Sequence, residues 1–141
     1  MTIWNHVGLA VTDVDRSKRF YEEVFGFTET RRMAIPDAPA SRLLQVPEPV
    51  GLSAVYLTLD GTVLELLYFD RPGNEPQRPR AMTEPGLTHL SFTVDDLAAT
   101  CDLVAEHGGQ VLEQTDMAGF AIMVRDPDGQ LLELLPPGAL G

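Results

Sequence analysis

Two histidines and two glutamates recur in matched settings along this chain, and their types form a metal-ligand inventory. The phrase Asp60-Gly61-Thr62-Val63-Leu64-Glu65-Leu66-Leu67 is echoed by Asp128-Gly129-Gln130-Leu131-Leu132-Glu133-Leu134-Leu135, so a carboxylate holds the same place in both. Each phrase lies downstream of a histidine that opens an apolar run, His6 in HVGLAV and His89 in HLSFTV. Imidazole and carboxylate are the ligands taken by borderline divalent ions. Repetition of the set in two half-modules pairs one His and one Glu with another such pair.

The elements that must position these residues follow from hydrophobic pattern and turn chemistry. In the first half, 3–11 reads as a strand, and Asp13 or Asp15 offers an N-cap for a helix to about Val24. Phe20, Tyr21, Val24 and Phe27 make that helix's apolar face, and Gly26 suits its stop. Residues 28–50 are broken by Pro36, Pro39, Pro47 and Pro49 and hide a second strand; their 33–50 portion is the expected substrate flap. Residues 52–59 and 62–69 read as strands joined by the Asp60-Gly61 turn. Four prolines in 70–86 mark a linker, with 82–86 placed to cover a site edge.

The pattern then restarts. Residues 87–94 read as a strand, and Asp95 or Asp96 caps a helix through His107, which Gly108-Gly109 ends. A short strand at 111–114 precedes a hairpin of 120–124 and 130–135 around Asp126-Pro127-Asp128-Gly129. The expected architecture is α+β: paired βαβββ modules, about 1–69 and 87–137, joined by linker 70–86 within one domain, 1–141.

Alternation along the strands puts His6 on a face with Trp4, Gly8 and Ala10, and His89 with Leu87, Ser91 and Thr93. Glu65 shares a face with Val63 and Leu67, and Glu133 with Leu131 and Leu135. A carboxylate flanked by apolar neighbours is costly unless partnered, and ligating a cation offsets that cost. The remaining polar residues have simpler readings. His107 suits a helix end, Asp13, Asp95 and Asp96 are caps, and Asp126 and Asp128 belong to a turn. Cys101 reads as a small core residue of the second helix rather than a nucleophile.

Bulk composition narrows the function classes. The formal charge is −11, from 10 Lys plus Arg against 21 Asp plus Glu, which repels phosphate backbones and excludes nucleic acid as an expected partner. Arg31 with Arg32, or Arg71 with Arg78 and Arg80, are the available basic patches, each most simply read as solvated. No apolar run approaches the roughly 18 residues of a membrane span, so no membrane partner is expected. A basic region followed by an apolar stretch is missing at the N-terminus, and Cys101 is the single cysteine. Both point to a reducing, cytoplasmic setting.

The phrases HVGLAVTDVDRSKRFYEEVFGF at 6–27, THLSFTVDDL at 88–97 and RDPDGQLLELLP at 125–136 together resemble the vicinal oxygen chelate superfamily, across nearly the whole chain. That resemblance implies a curved mixed sheet cupping one divalent ion (Ni, Zn, Co, Mn or Fe), with His6, Glu65, His89 and Glu133 at the ligand positions. The four-residue set is similar to that of bacterial glyoxalase I. Methylmalonyl-CoA epimerases usually carry glutamine at the place of Glu65, and extradiol dioxygenases and fosfomycin enzymes use two histidines with one glutamate. Residues 28–50 and 70–86 show no match to glutathione-binding residues.

The implied activity is a metal-dependent lyase or isomerase of the glyoxalase type, acting on a small substrate with vicinal oxygens. The ion would chelate both oxygens and stabilise an enediolate, with Glu133 first and Glu65 second as the catalytic base. Trp4, Tyr56, Leu67, Phe92, Met117, Phe120 and Met123 are expected to wall the pocket. Three alternatives share the fold: a small-molecule binding or resistance protein, an Fe(II)-dependent extradiol dioxygenase, and an acyl-CoA epimerase. The resemblance also implies a homodimer. His6 and Glu65 would then meet His89 and Glu133 either within one chain or across two subunits.

Overall fold

Aspartate caps and Asp-Gly turns, the residues that break hydrophobic patterns for a stated stereochemical reason, delimit the elements seen in the computed structural model, which describes residues 1–139. Asp13 is extended at φ −146° and its carboxylate accepts the Arg16 backbone N–H at 3.0 Å, starting α1 (Val14–Phe25). Gly26, at φ +80°, donates its N–H to the Glu22 carbonyl and ends it. Asp96 caps α3 (Leu97–Glu106) in the same way through the Ala99 N–H. Of the alternatives Asp13/Asp15 and Asp95/Asp96, the capping residue is therefore the first in one module and the second in the other.

The chain falls into two compact units, Met1–Pro76 and Gln77–Gly141. The first builds a four-stranded mixed sheet in the order β1-β4-β3-β2 from β1 (Val7–Val11), β2 (Thr28–Ala34), β3 (Leu52–Leu59) and β4 (Thr62–Phe69). The second repeats it as β5-β8-β7-β6 from β5 (Leu90–Thr93), β6 (Gln110–Val111), β7 (Ile122–Arg125) and β8 (Leu131–Leu135). In each, the first strand runs parallel to the last and the other pairs are antiparallel. The class is α+β, as expected.

Asp60 and Gly61 both have positive φ, 46° and 74°, as a two-residue hairpin turn requires. The core of the first unit is the apolar face of α1 with the inward residues of the sheet: Phe20, Tyr21, Leu57 and Leu66 are fully buried. Phe27 packs edge-on against Tyr21. In the second unit Val104, Val124, Leu132 and Leu134 play the same part.

Three expectations are corrected. The first and fifth strands begin at Val7 and Leu90 rather than at residues 3 and 87, because the parallel pairing begins only there: Val7 pairs with Leu64 and Leu90 with Leu132, close to the β3–β4 and β7–β8 turns. The short strand of the second module is two residues, followed by a 3₁₀ turn at Glu113–Thr115. Residues 33–50 hold a helix, α2 (Asp37–Leu44), despite their prolines. Pro39 lies in its first turn, where a backbone N–H would have no helical acceptor. The Asp37 carboxylate accepts the N–H groups of Val50 and Gly51, at 3.1 and 3.0 Å, and so pins the returning loop. Ala40, Val50 and Leu52 form a small buried cluster beneath α2.

Two outcomes follow. A Cβ on Gly51, at φ +63°, would sit 2.7 Å from the Asp70 carbonyl oxygen, whereas one on Gly61 meets nothing within 4 Å. Gly51→Ala should lower unfolding free energy by about 2–5 kcal/mol, adding a packing clash to the left-handed penalty. Gly61→Ala should cost only the about 1–2 kcal/mol of the backbone; urea midpoints compare them. Cys101 is half-buried on α3, and burial, with Glu113, Asp102 and Asp116 nearby, pushes its thiol up. It should react with iodoacetamide at pH 7.4 several-fold more slowly than a free cysteine thiol.

Candidate functional site

Both histidines stand one residue before the first parallel pair of their module, so neither is held by the ladder itself. Two residues on, Gly8 and Ser91 are paired with Glu65 and Glu133. The alternation of a strand then turns each histidine toward the glutamate of its own module.

In the first unit His6 Nε2 lies 3.0 Å from Glu65 Oε2. Glu65 is only 8% exposed, yet both carboxylate oxygens are partnered, because Tyr56, opposite it on β3, donates its hydroxyl to Oε1 at 2.6 Å. The Glu65 carboxylate holds the Tyr56 hydroxyl above the ordinary tyrosine value, with burial adding to the effect, so the phenol stays a donor at neutral pH. The His6 ring meets the Tyr56 ring edge-on at 5.9 Å, and its Nδ1 contacts Asn5 Oδ1 at 2.5 Å. With Nδ1 facing an amide oxygen, Nε2 is the nitrogen presented to the carboxylate. An imidazole lone pair and a carboxylate oxygen approach this closely only with a proton or a cation between them.

The second unit repeats the arrangement with different donors. His89 Nε2 lies 3.7 Å from Glu133 Oε2, and His89 Nδ1 contacts the Thr88 hydroxyl at 2.9 Å. Ser91 donates to Glu133 Oε2 at 2.6 Å, the part taken by Tyr56 in the first unit. The hydroxyl thus comes from the first strand of one module and the third strand of the other. Gly8, at the register position equivalent to Ser91, has no side chain to offer Glu65; a Cβ there would lie in ordinary contact, 3.6 Å from Oε2. Glu133 is looser than Glu65, with its side chain 26% exposed against 11%. Its Oε1 has no hydrogen-bond partner among the described residues.

All four residues singled out by the repeat are therefore brought together as two pairs. Among the described residues, no group of three or more His, Cys, Asp or Glu side chains is placed to hold a metal ion. The supporting groups Asn5, Tyr56, Thr88 and Ser91 escaped assignment from sequence as hydrogen-bond partners. Asn5 and Thr88 share a signal that was available, each being a polar residue directly before the histidine. Of the expected pocket wall, Met123 lies opposite Glu133, while Trp4, Met117 and Phe120 are exposed. Asp126 is buried in its turn, accepting the N–H groups of Asp128 and Gln130. No helix among the described residues is long and apolar enough to cross a membrane.

The chain is 27% identical to the metallothiol transferase FosB of Shouchella clausii over 136 residues, 92% of this chain and 77% of that protein. It is 29% identical to a lactoylglutathione lyase of Pseudomonas aeruginosa over 144 residues, covering 94% and 81%. Among solved structures, a glyoxalase family protein from Bacillus cereus superposes with a TM-score of 0.78 at 18% identity, over 96% of this chain and 94% of that one. The sequence profile of the Glyoxalase/Bleomycin resistance protein/Dioxygenase superfamily matches residues 3–134, and the chain belongs to that family.

Proposed function

We propose that the protein is a metal-dependent lyase or isomerase of the glyoxalase type, with His6, Glu65, His89 and Glu133 as the ligands of one divalent ion. The observation that carries this is the twice-built His–Glu pair, each with its Nδ1 contact and its hydroxyl donor to the carboxylate. Such outer hydrogen bonds fix the ring orientation and ligand basicity that a metal site needs. Two imidazoles and two carboxylates balance a divalent charge and suit Ni, Zn, Co, Mn or Fe. The family relatives named lactoylglutathione lyase and metallothiol transferase support an enzyme.

A bound ion would supply Lewis acidity to two neighbouring substrate oxygens and so stabilise the enediolate. The chain's own residues divide the remaining work unequally. Glu65, with both oxygens engaged and Tyr56 holding one of them, keeps its position. Glu133 has Oε1 free of described partners, so that oxygen can take a proton from the carbon beside a substrate carbonyl and return it to the adjacent carbon. Ser91 holds Oε2 meanwhile and keeps the carboxylate aimed. A homodimer is part of the same reading, carried over from the family resemblance.

Elemental analysis of anaerobically purified protein tests the centre. Wild type should carry close to one divalent ion per ligand set, and Glu65→Gln clearly less. No uptake after reconstitution with Ni, Zn, Co, Mn and Fe in turn would sink the enzyme reading in favour of a binding protein. Removing the outer donors should act more gently: Tyr56→Phe and Ser91→Ala should each weaken metal affinity by about 10–100-fold in a competitive chelator titration. Turnover is then sought with 2-oxoaldehyde thiol adducts and acyl-CoA epimers, and Glu133→Gln should abolish it.

A further inference from the structure

The second unit contains a cleft of about 210 Å³ that no part of the ligand set occupies. Of its ten lining residues three are arginines, Arg78, Arg80 and Arg125, and none is acidic. That balance is unexpected in a chain where Asp and Glu outnumber Lys and Arg by 21 to 10. A protein of net charge −11 repels anions over most of its surface, so a cation-lined recess is a local exception in the field.

The three guanidinium groups differ in what they have left to give. Arg80 is committed: it donates to the carbonyls of Leu87, Pro85 and Glu84 and thereby shapes the 80–87 loop. Arg125 spends one N–H on the Gly129 carbonyl at 2.8 Å. Arg78 is exposed and has no hydrogen bond or ion pair among the described residues. Arg78 and most of Arg125 are therefore available. Met123, Leu131 and Leu112 supply an apolar wall beside them.

The cleft also adjoins the proposed metal ligands. Met123 is paired with Glu133 on the neighbouring strand, and Arg125 is paired with Leu131, two residues before it. Thr88, a further lining residue, contacts His89. Met123, Leu131 and Arg125 thus lie on the sheet face that also carries Glu133.

We infer that this cleft binds the ionised end of the substrate, an oxyanion on a short apolar stem, with Arg78 and Arg125 as the specificity-determining residues and Arg80 bracing the adjoining 80–87 loop. This deepens the proposed function and rests on it for the identity of the reacting end. The volume sets the size class. Pockets for drug-sized ligands run from about 300 to 1,000 Å³, so this one suits a headgroup of a few carbons rather than a whole thiol peptide. Carboxylate and phosphonate share the required chemistry, and guanidinium binds either through charge-assisted, often paired hydrogen bonds.

Nuclear magnetic resonance titration of the full chain with butyrate, propylphosphonate and the neutral butyramide provides the test, on metal-free and metal-loaded protein. Either anion should bind at least tenfold more tightly than the amide, with shifts at Arg78, Arg125 and Met123, and the tighter anion identifies the headgroup. Arg78→Gln and Arg125→Gln should each weaken anion binding about tenfold and leave amide binding unchanged. Because Arg125 also braces Gly129, the exposed Arg78 variant carries the test if the other fails to fold. Equal binding of anions and amide, or full anion affinity in Arg78→Gln, overturns the inference. Loss of the anion preference with metal uptake intact removes the cleft alone; anion binding by a protein that takes up no metal removes the metal-centre reading alone.

Discussion

A carboxylate placed on the apolar face of a sheet constrains everything around it. Glu65 is nearly buried, flanked along β4 by Val63 and Leu67, and its charge is tolerable there only because each oxygen has a close partner. That requirement is met by Tyr56 at the cross-strand position and by His6 at the end of the β1 ladder. In the second unit the demand is only half met: Ser91 on the first strand serves Oε2, and Met123 stands at the register position of Tyr56 without a hydroxyl to give. Satisfying a charge with two side chains from separate segments ties the register of each sheet to the surroundings of its glutamate.

The two modules are copies in topology and unequal in grip. In the first, contacts of 2.6 and 3.0 Å occupy both oxygens of the glutamate; in the second, a 2.6 Å bond and a 3.7 Å approach both fall on one oxygen. Duplication supplies two identical roles, and divergence at single cross-strand positions then separates them. On the proposed reading, the firmly held Glu65 would stay on the ion while the less engaged Glu133 would take the proton.

Most of the framework was legible in the chain. The strands 52–59 and 62–69 were read at their observed limits, since two largely apolar runs are separated there by Asp60-Gly61. Helix starts followed from aspartates and the first stop from Gly26. The starts of β1 and β5 were not legible, because they depend on where a distant strand takes up the pairing, and that is a non-local fact. Helix α2 was hidden by Pro36 and Pro39, which mark a break in most contexts but are compatible with a first turn. The four ligand candidates stood out through repetition. Tyr56 and Ser91 as hydroxyl donors did not, because cross-strand register decides which side chain faces a given carboxylate. Arg78 and Arg80 were seen only as solvated charges; their company with Arg125 comes from segments some forty-five residues apart brought together by the fold.

Doubling a sheet-forming module also doubles the number of strand edges, each a template on which another chain can grow. The structure blunts the β2 and β6 edges by different means. Strand β2 carries Glu29, Arg31 and Arg32 and has a bulge between Glu29 and Arg31, so an incoming strand meets charge and a broken register. Strand β6 is two residues long, too short to template anything. Protection of the outer antiparallel edge against amyloid-like stacking is thus written separately into each half.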